Sequence, residues 1–301
     1  MTAKIIDGTT IARAVRAEIG ARAQTLLRQH GIQPGLAVIM IGDNAASAVY
    51  VRNKVRACAD VGIHSQVLRF PASVAESEVL DCIRALNEAD NVHGILVQLP
   101  IPATISLHRV LETLSVDKDV DGFHLYNVGG LVVGDTVFPP CTPYGVQKLL
   151  EHEGIALEGR NVTVVGASNI VGKPMALMLM QRDATVCICH AKTRDLAQFT
   201  ILADILVVAA GHRNLIRAEM VRTGAVVIDV GINRLEDGKL VGDVDFEGVR
   251  AKASYITPVP GGVGPMTVTM LLVNTIASAE RIARGAGAGQ RGEAVAADVG
   301  E

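Results

Sequence analysis

The sequence predicts an α/β protein of two domains, and three observations carry that expectation. The chain has 301 residues, enough for one large or two ordinary domains. Short apolar runs alternate with helically periodic stretches almost throughout, the pattern of βα units whose strands pair in parallel. A Gly- and Pro-rich stretch from Val128 to Pro140 interrupts the alternation, and a second βα series opens after it.

Taken in order, Ile11 to Gln29 reads as a first helix stopped by Gly31, and Leu36 to Gly42 as a buried strand. Asn44 to Val61 reads as a helix ending at Gly62. His64 to Phe70 is the next strand, Ala75 to Glu88 a helix, and His93 to Pro100 a strand broken by Pro100 and Pro102. Ser106 to Leu114 is a short helix. The run Asp117 to Phe123 is too charged and turn-prone to be core. Thr142 is placed to cap a helix whose first residue is Pro143. Arg160 to Gly166 opens the second series, whose later strands are Thr185 to His190, Asp204 to Ala210 and Ala225 to Val230. Lys239 to Asp245 reads as a hairpin arm, Tyr255 to Thr267 as a Gly/Pro loop, and Val268 to Arg284 as a final helix. Gly285 to Glu301 has no periodicity and reads as a flexible tail.

Composition narrows the function classes. A net charge of -3 with no basic face argues against a nucleic-acid partner. No apolar run approaches the ~20 residues that span a bilayer, and Met1 to Asp7 lacks a signal peptide's apolar core. The cysteines, Cys58, Cys82, Cys141, Cys187 and Cys189, are odd in number and scattered, which is not a disulfide framework. Cys187 and Cys189 point the same way from a strand, but with no second pair of ligands no metal site is expected. These features predict a soluble, reduced, cytoplasmic protein.

Two stretches suggest chemistry. Ser47, Tyr50 and Lys54 are spaced by three and four residues, so they share one helical stripe. A hydroxyl, a phenol ring and an amine in a row suit a wall that reads a flat ligand, the amine moving a proton where desolvation tunes it. The same stripe also suits an amphipathic helix whose Tyr covers the core and whose Lys reaches water. The second stretch is the turn Gly166-Ala-Ser168-Asn-Ile-Val171-Gly172. It matches a dinucleotide G-x-G-x-x-G fingerprint only in part, with Ser168 and Val171 at the later positions and Gly172 displaced by one. A strand precedes it and a helix follows, so it is either a phosphate turn or a tight turn without a ligand. At the end of the next strand stands His190-Ala-Lys192-Thr193-Arg194, with no acid to take a ribose hydroxyl. Lys192 or Arg194, with Lys173 nearby, suits the 2′-phosphate of NADP rather than NAD, or else forms a solvated basic loop.

Six motifs in order complete the pattern: Tyr50-x-x-x-Lys54, Gly94-Ile-Leu-Val-Gln98-Leu99-Pro100, Lys118-Asp-Val-Asp121-Gly-Phe123, Pro140-Cys-Thr-Pro143, Gly166-x-Ser168-x-x-Val171-Gly172-x-Pro174 and Thr257 to Thr267. Together they resemble the bifunctional methylenetetrahydrofolate dehydrogenase/methenyltetrahydrofolate cyclohydrolase family over roughly residues 3 to 283. The resemblance implies a folate-binding catalytic domain at 1–138, joined by a returning C-terminal helix at 268–284, and a Rossmann-like NADP-binding domain at 139–267. It also implies a homodimer, folate bound in the cleft between the domains, and a place in one-carbon metabolism that serves purine, methionine and histidine biosynthesis.

It further implies roles for residues. Tyr50 stacks on the folate ring system beside Ser47. Lys54 acts in the cyclohydrolase step. Gln98 and Leu99 line the substrate at a strand end, where a neutral amide holds the amine without pairing its charge. Asp121 accepts from the pterin N–H groups, while Asp117 and Asp119 read as solvated turn residues. Pro260, Gly261 and Gly262 approach the folate, and Gly166, Ala167, Ser168, Lys192, Thr193, Arg194 and Ile232 take the cofactor, Ile232 beside the nicotinamide. Many relatives carry Arg at the position of Ala167, so the phosphate contact falls to Lys192, Arg194 or Lys173. The remaining histidines read as structural or surface. Two rivals stand beside this expectation: another two-domain NAD(P) dehydrogenase, of shikimate or amino-acid type, and a catalytically silent nucleotide-binding protein.

Overall fold

The computed structural model describes residues 2–297. In chain order the elements are β1 (Lys4–Ile5), α1 (Gly8–His30), β2 (Gly35–Ile41), α2 (Ala45–Asp60), β3 (His64–Phe70), α3 (Glu76–Glu88), β4 (Gly94–Val97), α4 (Leu107–Thr113), α5 (Leu125–Val133), α6 (Cys141–His152), β5 (Asn161–Val165), α7 (Gly172–Met180), β6 (Thr185–Cys189), α8 (Leu196–Thr200), β7 (Ile205–Val208), β8 (Val226–Asp229), β9 (Asn233–Arg234), β10 (Leu240–Val241), α9 (Phe246–Arg250), β11 (Tyr255–Ile256) and α10 (Val263–Ala297). They form two compact units. One holds the chain up to Ala14 and Asn127–Met270, the other Val15–Tyr126 and the chain from Leu271 onward.

The unit around Val15–Tyr126 carries a three-stranded parallel sheet in the order β3-β2-β4. The central strand β2 is buried at every position, as its unbroken apolar run requires. Helix α3 turns Val79, Leu80, Ile83 and Leu86 onto the sheet at helical spacing. α2 starts where Asn44 accepts from the Ser47 N–H (3.0 Å). The last helix returns here: Asn274 donates to the Val120 carbonyl (2.9 Å), Ser278 to that of Asp117 (2.8 Å), and Arg22 forks onto Glu280 (2.8 and 2.9 Å).

The other unit holds a six-stranded sheet, β1-β11-β8-β7-β5-β6, parallel throughout. Its core packs Val165, Leu206, Val208, Val227 and Ile256 beneath the helices. The antiparallel ribbon β9-β10 is the expected hairpin.

Several expectations need correction. The first residues do not belong with the first domain: β1 pairs with β11, a strand hidden in the expected 255–267 loop. Two-residue strands are too short to show a period and form because neighbours offer their backbone groups. The compact units part at Tyr126/Asn127, inside α5, which takes up residues 128–133 of the expected linker. Thr142 does not cap α6, which begins at Cys141; its hydroxyl meets that of Thr267 (3.0 Å). α10 starts at Val263 and continues to Ala297, so most of the expected tail is helical despite four glycines, with no Pro to break it. The last four residues of that tail lie outside the described residues.

The charged run 117–123 also enters the core. Lys118 and Asp119 are buried with Val120. The Lys118 amine donates to the carbonyls of Leu86 (3.1 Å) and Ala89 (2.8 Å), which close the end of α3, and Asp119 accepts from the His124 N–H (2.8 Å). Charged groups enter because each satisfies backbone groups that would otherwise be unpaired. Lys118→Met keeps the stem and strips both carbonyls of their donor, an expected cost of ~1–3 kcal/mol. The melting temperature should fall by several degrees; an unchanged melting curve would mean that the amine does not support this turn.

Candidate active site

In the three-stranded sheet the chain lays down the central strand first, then one neighbour, then the other. The order reverses between β2 and β4, and ligands of open α/β sheets bind outside the carboxyl ends of strands at such a reversal. Gln98 sits there, its N–H extending the ladder to the Ile39 carbonyl (2.8 Å) just beyond Val97. The Lys54 amine donates to the Gln98 Oε1 (3.1 Å). The Gln98 amide donates in turn to the Leu99 carbonyl (2.7 Å), which also accepts from the Ser47 hydroxyl (3.4 Å). The stripe on α2 is therefore joined at both ends to the Gln98–Leu99 turn.

Ser47 is buried, Lys54 half-buried, and Tyr50 between them is 38% exposed, leaving its ring face accessible. The Leu99–Pro100 peptide is cis. Asp121 is half-buried on the turn anchored by Lys118 and Asp119. The local arrangement presents an amine held by a neutral amide, beside an open aromatic ring. It is suited to holding a planar ligand and moving one proton. The Leu99 carbonyl, which gathers Ser47 and Gln98, had no signal in the sequence, since it is a backbone atom. His93 proves structural: buried, with its ring nitrogen accepting from the Gly35 N–H (3.0 Å).

The second sheet repeats the reversal. β6 and then β7 are laid on opposite sides of β5, so the crevice opens between the ends of β5 and β7. Gly166 stands there with a φ of +119°, its Cα hydrogen facing the Ala209 carbonyl where a side chain would collide. Gly172 packs equally close against the Gly166 carbonyl, so the displaced glycine does the work of the fingerprint's last one. The Ser168 hydroxyl oxygen accepts from the Val171 N–H (3.1 Å) and Gly172 N–H (3.5 Å) at the start of α7. Among the described residues no acceptor takes its O–H.

Beyond β6, Thr193 accepts from the His190 N–H (2.9 Å) and closes the turn that exposes Lys192 and Arg194. Lys173 instead holds Asn169 (2.7 Å). Ala167 is half-buried and Ile232 is 45% exposed on the loop after β8. A glycine turn against bare backbone, a helix N-terminus and two exposed cations fit a phosphorylated dinucleotide. In the same unit, Pro260 is exposed, and the Gly261 carbonyl accepts from the Thr9 N–H (3.1 Å) while Gly262 is buried against Pro258.

One feature escaped the sequence. Asp229 and Asp243 are buried side by side at the ends of β8 and β10. The only hint was an acid closing the apolar run Val226-Val-Ile-Asp229. Among the described residues no three His, Cys, Asp or Glu side chains are grouped to hold a metal, and no helix is long and apolar enough to cross a membrane.

Comparison with known proteins gives one answer for both halves. The catalytic-domain model of the tetrahydrofolate dehydrogenase/cyclohydrolase family matches residues 6–121, and its NAD(P)-binding-domain model residues 140–283. The chain is 58% identical over 282 residues to the bifunctional protein FolD of Polaromonas sp., with 94% of this chain and 100% of that one covered. The crystal structure of the bifunctional FolD methylenetetrahydrofolate dehydrogenase/cyclohydrolase from Campylobacter jejuni shares 52% identity at a TM-score of 0.91, covering 93% of this chain and 99% of that one. The Trypanosoma brucei dehydrogenase-cyclohydrolase, complexed with NADP cofactor and inhibitor, shares 39% at 0.92, covering 94% and 99%. With both family models matched, and identity this high over nearly the whole chain, the protein belongs to the tetrahydrofolate dehydrogenase/cyclohydrolase family.

Proposed function

We propose that the protein oxidises 5,10-methylenetetrahydrofolate with NADP⁺ and hydrolyses the resulting 5,10-methenyl compound to 10-formyltetrahydrofolate. The observation that carries this reading is the Lys54–Gln98 hydrogen bond at a sheet reversal, on the motifs of the matched family. Gly166, Ala167, Ser168, Thr193 and Ile232 line the dinucleotide, with Lys192 or Arg194 at its 2′-phosphate. NADP⁺ bound there supplies a hydride acceptor. Tyr50 gives the pterin a stacking face beside Ser47 and Leu99, and Asp121 matches two of its N–H donors with one carboxylate.

The two reactions ask different things of Lys54. Removing hydride from the methylene carbon leaves a cation that its own nitrogens stabilise, so holding the substrate in place is what matters. Hydration adds water to the methenyl carbon, and a proton must leave that water and later reach a ring nitrogen. Gln98 accepts one N–H of the Lys54 amine and adds no negative charge, which leaves the amine free to carry the proton. A rival dehydrogenase of shikimate or amino-acid type would have no use for this acid–base pair on a pterin, and a silent nucleotide-binding protein would have none for either reaction.

The proposed setting is a homodimer in a reducing, cytoplasmic compartment, supplying one-carbon units to purine, methionine and histidine biosynthesis. Five free thiols support the compartment. An edge strand with apolar neighbours supports the dimer: Ile188 on β6 is 41% exposed, and Phe199, Ile201 and Leu202 at α8 are 39%, 45% and 66% exposed.

Three outcomes are expected. Lys54→Met, assayed with methenyltetrahydrofolate, should lose hydration by ~10²–10⁴-fold, while NADP⁺ reduction with methylenetetrahydrofolate falls less. Hydration at the wild-type rate would remove Lys54 from proton transfer. The kcat/KM with NADP⁺ should exceed that with NAD⁺ by about ten- to a hundredfold, the worth of a charge-assisted phosphate contact; equal values would cancel the cofactor assignment. In light scattering after size exclusion the wild type should run as a dimer and Leu202→Asp shift toward monomer. A monomeric wild type defeats the dimer.

A further inference from the structure

Two buried carboxylates hold the loops beside the dinucleotide turn. The Asp243 Oδ2 accepts from the backbone N–H groups of Ala210 and Gly211, each at 2.8 Å. Its Oδ1 accepts from the Asn233 amide (2.8 Å). The Asp229 Oδ1 accepts from the Gly231 and Asp243 N–H groups (3.0 Å each), and its Oδ2 from that of Val244 (3.0 Å). The Asp229 N–H is itself fixed by the Thr257 hydroxyl (2.7 Å). Side chains at Gly231 and Gly242 would strike these carboxylates, so the two acids and two glycines interlock. Asp243 is fully buried and Asp229 is 4% exposed, whereas Ala210, Gly211 and Ile232 lie at the surface. The segment Ala209–Gly211 follows β7 and forms the wall against which Gly166 packs. Gly231–Ile232 follows β8, the next strand. Two neighbouring surface loops at the crevice thus hang from one buried acid pair.

A core acid pair is costly, because each charge loses water and each repels the other. Among the described residues neither carboxylate has a Lys, Arg or His partner in an ion pair or hydrogen bond. An apolar pair would fill the same space but leave the N–H groups of Ala210, Gly211, Gly231 and Val244 without these acceptors. Ionised oxygens do one thing that apolar groups cannot: they fix several N–H groups of separate loops at set distances.

We infer that Asp229 and Asp243 are positioning residues for the nicotinamide half of the dinucleotide, setting the separation of the 209–211 and 231–232 loops. This rests on the dinucleotide reading above. Burial raises the Asp229 carboxyl from its ordinary 3.8 to about 6, the neighbouring Asp243 adding to it and the backbone donors opposing it. The groups facing it are the Asp243 carboxylate and the N–H groups of Gly231, Asp243 and Val244. A raised carboxyl stabilises the fold as pH falls through about 6 towards 3.8, so protonation here does not unfold the chain. A proton on Oδ1 weakens the acceptor of the Gly231 and Asp243 N–H groups, and with it the hold on the 231–232 loop. Loop placement and fold stability therefore respond in opposite directions to acid.

The test uses the full-length chain as wild type, Asp243→Asn and Asp229→Asn. Three quantities are read: the KM for NADP⁺, the Kd for adenosine 2′,5′-bisphosphate, which lacks the nicotinamide half, and the rate of methenyltetrahydrofolate hydration, which uses no dinucleotide. Losing one charged acceptor should raise the KM for NADP⁺ about tenfold, with the other two unmoved. A parallel loss in all three, or no change in the KM, overturns the inference. Wild-type protein supplies a second measurement should the variants not fold. The ratio of the NADP⁺ KM to the Kd of 2′-phospho-ADP-ribose, which keeps the 2′-phosphate and the pyrophosphate diester and lacks only the nicotinamide, cancels the shared phosphate titration. It should rise as pH falls through about 6; a flat ratio overturns the inference. A wild type that never reduces NADP⁺ sinks the proposed function, whereas normal reduction with an unmoved KM in both variants sinks this inference alone.

Discussion

Parallel pairing obliges the chain to cross back over the sheet between strands, so every strand ends on the same edge and every helix starts from it. Both sheets here obey that constraint, and each has an inner strand, β2 or β5, after which the chain lays one neighbour and then the other. The reversal leaves a gap between two crossovers, at β2/β4 in one unit and β5/β7 in the other. Gln98 occupies the first gap and Gly166 the second. Their positions follow from strand order, before any side-chain chemistry is considered.

Around the first gap, chemistry is concentrated by hydrogen bonds to backbone. The Leu99 carbonyl fixes the Gln98 amide, and that amide presents its oxygen to Lys54. An acid in place of Gln98 would pair with the amine and hold it charged; an amide orients it without that electrostatic cost. The neighbouring Lys118 shows the other use of the same residue type. Its amine is spent on two helix-end carbonyls, which makes it a fixture of the turn that carries Asp121. Two lysines from family motifs thus differ in function because one faces a side-chain amide at a sheet reversal and the other faces orphaned carbonyls in the core.

The second gap relies on what is missing. Gly166 and Gly172 let a strand end, a neighbouring carbonyl and a helix start come within contact distance. The partial fingerprint works because the displaced Gly172 still lies against Gly166. Spacing along the chain matters less than which backbone atoms must touch. Asp229 and Asp243 are the counterpart at the next strands: polar groups taken inside to hold loops that the glycines leave thin.

The sequence by itself determined the fold class, the long elements and the stripe of Ser47, Tyr50 and Lys54. Periods of two and 3.6 residues are local properties, and long apolar segments express them fully. It also determined family membership, because six motifs in order are carried by residue identity alone. Tertiary structure alone decided the rest. β1 and β11 are two residues each and exist only as partners of strands remote in sequence. Asp119 reads as a turn acid, Asp229 falls in an expected strand and Asp243 in an expected hairpin arm, yet all three are buried, and N–H groups that justify the burial come from other segments. Division at Tyr126/Asn127, with the first residues joined to the later unit, depends on contacts across the whole chain. A buried charge is legible only when its partners are known, and those partners are brought together by folding.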